Sequence, residues 1–136
     1  LLVGMFEVRD ALPEDVQERI KNDKRIIFTG FINGGMEYYY LLMNVYVLAS
    51  YREGFPTGVL EAQAMEKPII TTRVTGCSDS IIDGQTGLFA DIDPDDLVEK
   101  IDMIRKENVI DGRNGRKWVV ENFDSRLVWK EIEKLY

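Results

Sequence analysis

Five short apolar runs alternate with helical stretches, and that alternation constrains this chain more than any other feature. The runs are "LLVG" (1–4), "RIIFTG" (25–30), "VYVLAS" (45–50), "PIITT" (68–72) and "TGLFA" (86–90). Each is rich in β-branched or aliphatic residues and lacks the polar alternation of a half-exposed strand, as expected of strands buried on both faces. Between them lie segments with helical spacing. Pro13 opens one through Lys21, with Leu12, Val16 and Ile20 on one face. "GMEYYYLLM" (35–43) and residues 57–66 are two more, and Pro68 begins a strand where a missing N–H is tolerated. Asp93 and Pro94 read as N-cap and first residue of a further helix, with Asp95 and Asp96 at its positive end and Arg105 and Lys106 towards its negative end. Residues 110–123 read as helical despite Gly112 and Gly115, and Asp124-Ser125 caps a last helix carrying Leu127, Val128, Ile132 and Leu135. Strands joined by helices predict a Rossmann-like, doubly wound parallel sheet within one domain, residues 1–136.

Such sheets bind ligands beyond the carboxyl ends of their strands. The stretch "REGFPTGVLE" (52–61) follows the third strand directly and so falls at that edge. Gly54 lets a ligand approach the main chain, Pro56 stiffens the turn, and Thr57 and Gly58 offer amides at a helix start, where the dipole favours an anion. Glu61 lies about 6 Å further along the helix axis, within reach of a ribose diol, and Glu53 stands on the other side of the anion position. Each part alone has a plainer reading: a surface acid in a first helical turn, a simple tight turn, a core-facing helix of Val59, Leu60, Ala62, Ala64 and Met65.

Composition narrows the chemistry. The chain has no histidine and one cysteine, Cys77, which excludes Ser-His-Asp and Cys-His catalysis and the usual zinc sites. A lone cysteine forms no internal disulfide and suits a reducing, cytoplasmic setting. With 24 acids against 17 bases the net charge is −7, which argues against nucleic-acid binding. No apolar run approaches the roughly 18 residues of a membrane span. A phospho-acceptor aspartate is missing from the ends of "RIIFTG" and "VYVLAS", and "LLVGMFEV" lacks the glycine pattern of a nicotinamide fold. Two carboxylates could also form a glycosidase pair, at about 5 to 9.5 Å separation.

The segment "YREGFPTGVLEAQAMEKPIITTRVTGCSDSIIDGQTGLF" resembles the donor-binding half of family 4 retaining glycosyltransferases, the glycosyl transferases group 1 domain. Their signature of Glu, seven residues, Glu is matched by Glu53 and Glu61. "IIFTGFI" resembles the strand and glycine bordering the nucleotide base, and "VTGCSD" with "LLVGMFE" resembles enzymes of bacterial surface polysaccharide. The resemblance implies the C-terminal half of a GT-B fold lacking its first strand. It also implies a metal-independent, retaining transfer from a nucleotide sugar, taken as a UDP-sugar, to a glycan or lipid-linked acceptor. No separate cofactor is implied. The missing N-terminal domain would be a partner, and the inner membrane face a further location. Glu61 would bind the ribose, and Glu53, the catalytic candidate, would contact the donor sugar. Gly54, Phe55, Pro56, Thr57, Gly58 and Val59 would lie along sugar and diphosphate, and Gly30 and Phe31 would border the base.

The family's upstream Arg and Lys are absent, which would weaken diphosphate binding; Arg73 is a candidate replacement or a plain surface residue. A non-catalytic nucleotide-binding subunit is the alternative. The absent strand implies a gap in the sheet or an abnormal pairing. Glu66 replaces a customary glycine and would carry about 1–2 kcal/mol of left-handed strain. Trp129 and Tyr136 would be exposed.

Overall fold

The structure, a computed structural model, describes residues 1–8 and 11–135. The chain divides into two compact units, Leu1–Tyr39 and Tyr40–Tyr136.

In the first unit, helix α1 (Glu14–Asn22) starts after Pro13, with Glu14 and Asp15 in its first turn and Arg19 and Lys21 in its last. That charge order suits the helix dipole. The two apolar runs of this unit depart from expectation. They form isolated bridges, Leu2 with Phe28 and Gly4 with Gly30, in place of continuous strands. Leu1 and Leu2 are 46% and 41% exposed, so the run 1–4 is not buried. Two glycines explain the interruption. Gly4 and Gly30 adopt φ of 122° and 69°, outside the extended region, so the ladder stops where they meet. The Phe6 and Phe28 rings stack at 4.5 Å between centroids, and the Lys21 ammonium lies 5.5 Å from the Phe6 ring. Helix α2 (Met36–Leu42) runs across the boundary into the second unit.

The second unit carries the expected sheet. Strands β1 (Tyr46–Leu48), β2 (Ile69–Thr72) and β3 (Gly87–Ala90) pair in parallel in that order, with Val47 opposite Ile70 and Ile70 opposite Leu88. All four β2 residues are buried. Alternate side chains leave opposite faces of a strand, so burial of every residue means both faces are covered. One face meets Leu88, Ala90, Ile104 and Ile110 around Ile70, with Leu97, Ile101 and Met103 against them. Burying each such aliphatic side chain contributes about 1.5–3 kcal/mol. Among the described residues β1 pairs only with β2, which leaves its other edge without a strand partner.

Helix α3 (Thr57–Ala64) follows β1 and buries Val59, Ala62 and Gln63. It ends two residues earlier than the sequence pattern runs, because Glu66 takes φ of 59°. The expected left-handed geometry, and its strain, is present. Helix α4 (Pro94–Asp102) starts as read: the Asp93 carboxylate accepts from the amides of Asp95 and Asp96 at 2.9 and 3.0 Å. It then widens into a π turn, Met103–Glu107, closed by left-handed Asn108, so Arg105 and Lys106 lie on that turn and not on the α-helix. Helix α5 (Gly112–Phe123) accommodates both its glycines, and α6 (Ser125–Glu133) is capped by Asp124, which accepts from the Arg126 amide. Trp118 packs edge-on to Phe123 at 5.0 Å, and Trp129 is 64% exposed; Tyr136 lies outside the described residues. No helix among the described residues is long and apolar enough to cross a membrane.

Candidate functional site

The loop between β1 and α3 is tied down at three places. Ser50, just past β1, donates its amide to the Thr72 hydroxyl, and that hydroxyl donates back to the Ser50 carbonyl. The Ser50 hydroxyl exchanges bonds with Arg52, which folds the chain back on itself. Glu53 then donates its amide to the Thr75 carbonyl at 3.3 Å. Beneath that junction sits Gly76, at φ of 85°, with its α-carbon turned to the Glu53 and Gly54 carbonyls. The polar turn 75–79 thus serves as the floor of the signature loop.

The loop leaves several amides unbonded. Among the described residues, the N–H groups of Gly54, Phe55, Thr57 and Gly58 have no backbone or side-chain acceptor. Pro56 and Val59 behave differently. Both are buried, and the Val59 amide donates to the Pro56 carbonyl at 3.0 Å. Val59 therefore drops out of the sequence-predicted contact set: its amide is occupied in the first helical turn and its side chain is core. Pro56, which has no N–H, shapes the turn. The Phe55 ring packs on Phe123 of α5 at 5.5 Å, so its side chain anchors the loop while its amide stays free. Two of these donors, Thr57 and Gly58, lie in the first turn of an eight-residue helix, where the dipole favours an anion.

Of the two acids, Glu53 bonds through its backbone to Thr75, and Glu61 has a side-chain partner. Glu61 is exposed, and its Oε2 accepts from the Tyr40 hydroxyl at 2.8 Å. Tyr40 itself is 4% exposed. Burial, with the Glu61 carboxylate beside it, pushes the Tyr40 phenol well above the usual tyrosine range. Tyr46 on β1 stands next to it, rings 5.8 Å apart and tilted. The Tyr46 phenol is also pushed up, first by burial and then by the charges of Glu61 and Glu53. Gly58 belongs to the same arrangement: a β-carbon there would lie 2.8 Å from the Tyr46 hydroxyl and 3.5 Å from that of Tyr40.

The remaining candidates have other surroundings. Gly30 and Phe31 belong to the first unit, Gly30 accepting from the Gly4 amide at 3.1 Å and Phe31 69% exposed. Arg73 is engaged: its guanidinium pairs with Asp83 at 2.7 Å and lies 4.2 Å from the Phe89 ring. It is a surface residue holding the β3 edge. Cys77 is fully buried. A cavity of about 250 Å³ opens beyond the carboxyl ends of β1 and β2, lined by Ser50, Tyr51, Thr72, Ile92, Pro94 and Leu97 among others. It adjoins the loop through Ser50 and Tyr51 and includes neither Glu53 nor Glu61. Tyr40 is the site residue that sequence reasoning missed. The run Tyr38-Tyr39-Tyr40 suggests aromatic stacking with one or two rings in the core, and carries no signal of a bond to Glu61.

Comparison with known proteins bears on the family and the fold. The model of the family described as glycosyl transferases group 1 matches residues 1–107. The capsular polysaccharide biosynthesis glycosyltransferase CapM of Staphylococcus aureus is 34% identical over 140 residues, covering 100% of this chain and 37% of CapM. An N,N'-diacetylbacillosaminyl-diphospho-undecaprenol alpha-1,3-N-acetylgalactosaminyltransferase of Campylobacter jejuni is 32% identical over 120 residues, covering 78% of this chain and 32% of that enzyme. The chain thus spans only about a third of the length of these relatives. Among solved structures, sucrose-phosphate synthase from Thermosynechococcus elongatus superimposes with a TM-score of 0.81 at 28% identity, over 99% of this chain and 37% of that one. Anabaena HepE, solved in complex with UDP-glucose, gives a TM-score of 0.86 at 18% identity over 98% of this chain and 39% of HepE, a likeness of fold.

Proposed function

The chain belongs to the glycosyl transferases group 1 family, and we propose that it forms the donor-binding part of a retaining, metal-independent glycosyltransferase. The full-length protein would move a sugar from a nucleotide sugar, a UDP-sugar, to a glycan or lipid-linked acceptor in surface-polysaccharide synthesis. The observation that carries the reading is the loop whose Gly54, Phe55, Thr57 and Gly58 amides lack an acceptor among the described residues, followed on the same helix by Glu61, which a buried phenol holds.

The chemistry follows from that arrangement. A nucleoside diphosphate leaving group gathers negative charge as the bond from the anomeric carbon to the phosphate oxygen breaks. Unbonded amides aimed at that charge from a helix start stabilise it more as it grows, which is the condition for lowering a barrier. Glu61 would accept from the ribose hydroxyls, which fixes the nucleotide's register along these amides. Glu53 would face the donor hexose, where a carboxylate stabilises positive charge developing at the anomeric carbon. Relatives that make capsular polysaccharide and act on a diphospho-undecaprenol carrier support the acceptor class, and the UDP-glucose complex of HepE supports the donor.

Titration of the chain with UDP-glucose, followed by calorimetry, tests this. Binding is expected in the weak range, with no sugar transfer by the 136 residues alone. Glu61→Ala is expected to weaken it about tenfold or more, the usual cost of losing hydrogen bonds to a charged group. Unchanged binding in that variant would contradict the ribose assignment.

A further inference from the structure

Glu61 is exposed at the surface of α3, and a free carboxylate there would turn through many rotamers. The structure supplies a restraint from behind it. Tyr40 is buried, its ring lies against Tyr46, and its hydroxyl reaches Glu61 Oε2 at 2.8 Å. The direction of the phenol is therefore set by the core. Gly58, one turn back on α3, is small enough for the Tyr40 and Tyr46 hydroxyls to crowd against it.

From this juxtaposition we infer that Tyr40 is a positioning residue that selects for a ribose diol, holding Glu61 by Oε2 so that Oε1 faces the two hydroxyls. The inference rests on the donor-site reading above and adds to it a residue and a specificity. A carboxylate has about four acceptor positions. The phenol takes one on Oε2, which leaves Oε1 whole for a diol and fixes the plane in which it is presented. The phenol also remains a donor across the working pH range, because burial and the Glu61 charge hold its proton in place. A neutral, permanently protonated partner orients the acid without neutralising it.

Calorimetry with UDP and with 2′,3′-dideoxyuridine 5′-diphosphate tests the inference on the chain, on Tyr40→Phe, on Glu61→Ala and on the double variant. The chain is expected to prefer UDP. Tyr40→Phe is expected to weaken UDP about tenfold, as loss of a charge-assisted bond does, and to leave the dideoxy ligand unchanged. In the Glu61→Ala background the second substitution is expected to add nothing, the signature of two residues acting through one contact. Equal losses for both ligands, no loss for either, or additive effects in the double variant would overturn the role of Tyr40 while leaving the donor reading intact. No preference for UDP in the unsubstituted chain would overturn the donor reading, and the inference with it. Should Tyr40→Phe fail to fold, Tyr40→Met fills similar space without the hydroxyl; failure of both to fold would make the phenol a requirement of the core and refute the inference.

Discussion

Gly76→Ala is expected to lower stability by roughly 3 kcal/mol and to abolish nucleotide-sugar binding in the fraction that still folds. Two costs combine at this residue. A φ of 85° is open to glycine and costs an L-residue about 1–2 kcal/mol. The added β-carbon would also stand 2.2 Å from the Gly54 carbonyl oxygen and 2.4 Å from that of Glu53. These are backbone atoms, so no side-chain rotation relieves the overlap, and the Glu53–Gly54 peptide has to move. Moving it breaks the Glu53 amide bond to Thr75 and displaces the first of the unbonded amides. Urea denaturation measures the first effect and calorimetry with UDP-glucose the second. A variant that folds with less than about 1 kcal/mol lost and binds normally would show that the floor under the loop is soft.

Gly112→Ala is expected to be as damaging to the fold by a different route. Gly112 is the first residue of α5, and a β-carbon there would lie 1.9 Å from the Glu66 carbonyl oxygen and 2.5 Å from its carbon. Glu66 is the left-handed residue that ends α3, so it cannot retreat without unwinding that turn. Alanine gains at most about 1 kcal/mol over glycine in helix propensity. Displacing a backbone turn against a packed helix costs more, and a net loss of roughly 3 kcal/mol is expected, equivalent to a fall of about 10 °C in Tm for a chain of this size. The α5 side of the contact is also close: Gly115 sits on the Gln63 side chain at 3.2 Å from its nearest carbon to an added β-carbon. Differential scanning calorimetry reads the shift. Because Gly112 is remote from the unbonded amides, nucleotide affinity of the folded variant is expected to change little, which separates this substitution from Gly76→Ala.

The second unit was legible in the sequence because its signals are local. "VYVLAS", "PIITT" and "TGLFA" each contain a strand, and Asp93-Pro94 caps α4 as any Asp-Pro pair at a helix start can. The left-handed turn at Glu66 was legible from a departure in pattern, and the structure has it. "LLVG" and "RIIFTG" misled for a physical reason. An apolar run becomes a strand only when neighbours complete its hydrogen bonds, and Gly4 and Gly30 leave extended geometry after a single bridge each. The π turn after α4 gave no sequence signal, since Asn108 closes it through a conformation that many asparagines never adopt.

Within the candidate site, the placing of Glu53, Glu61 and the glycine-proline turn around a helix start was readable from spacing. What holds them was not. Tyr40 meets Glu61 across 21 residues of sequence, and Gly76 meets Gly54 only after β2 has run beside β1. Val59 was misplaced because a helix start looks like a set of free amides until the first turn closes, and here its own amide closes that turn on Pro56.

A crystal structure of the chain with UDP-glucose bound tests the central claim most directly. The account predicts one oxygen of Glu61 at about 2.7 Å from the ribose hydroxyls, its Oε2 still bonded to Tyr40, and the diphosphate along the amides of Thr57 and Gly58. A nucleotide seated in the cavity beside Thr72 and Leu97, with Glu61 touching nothing but Tyr40 and solvent, would contradict it.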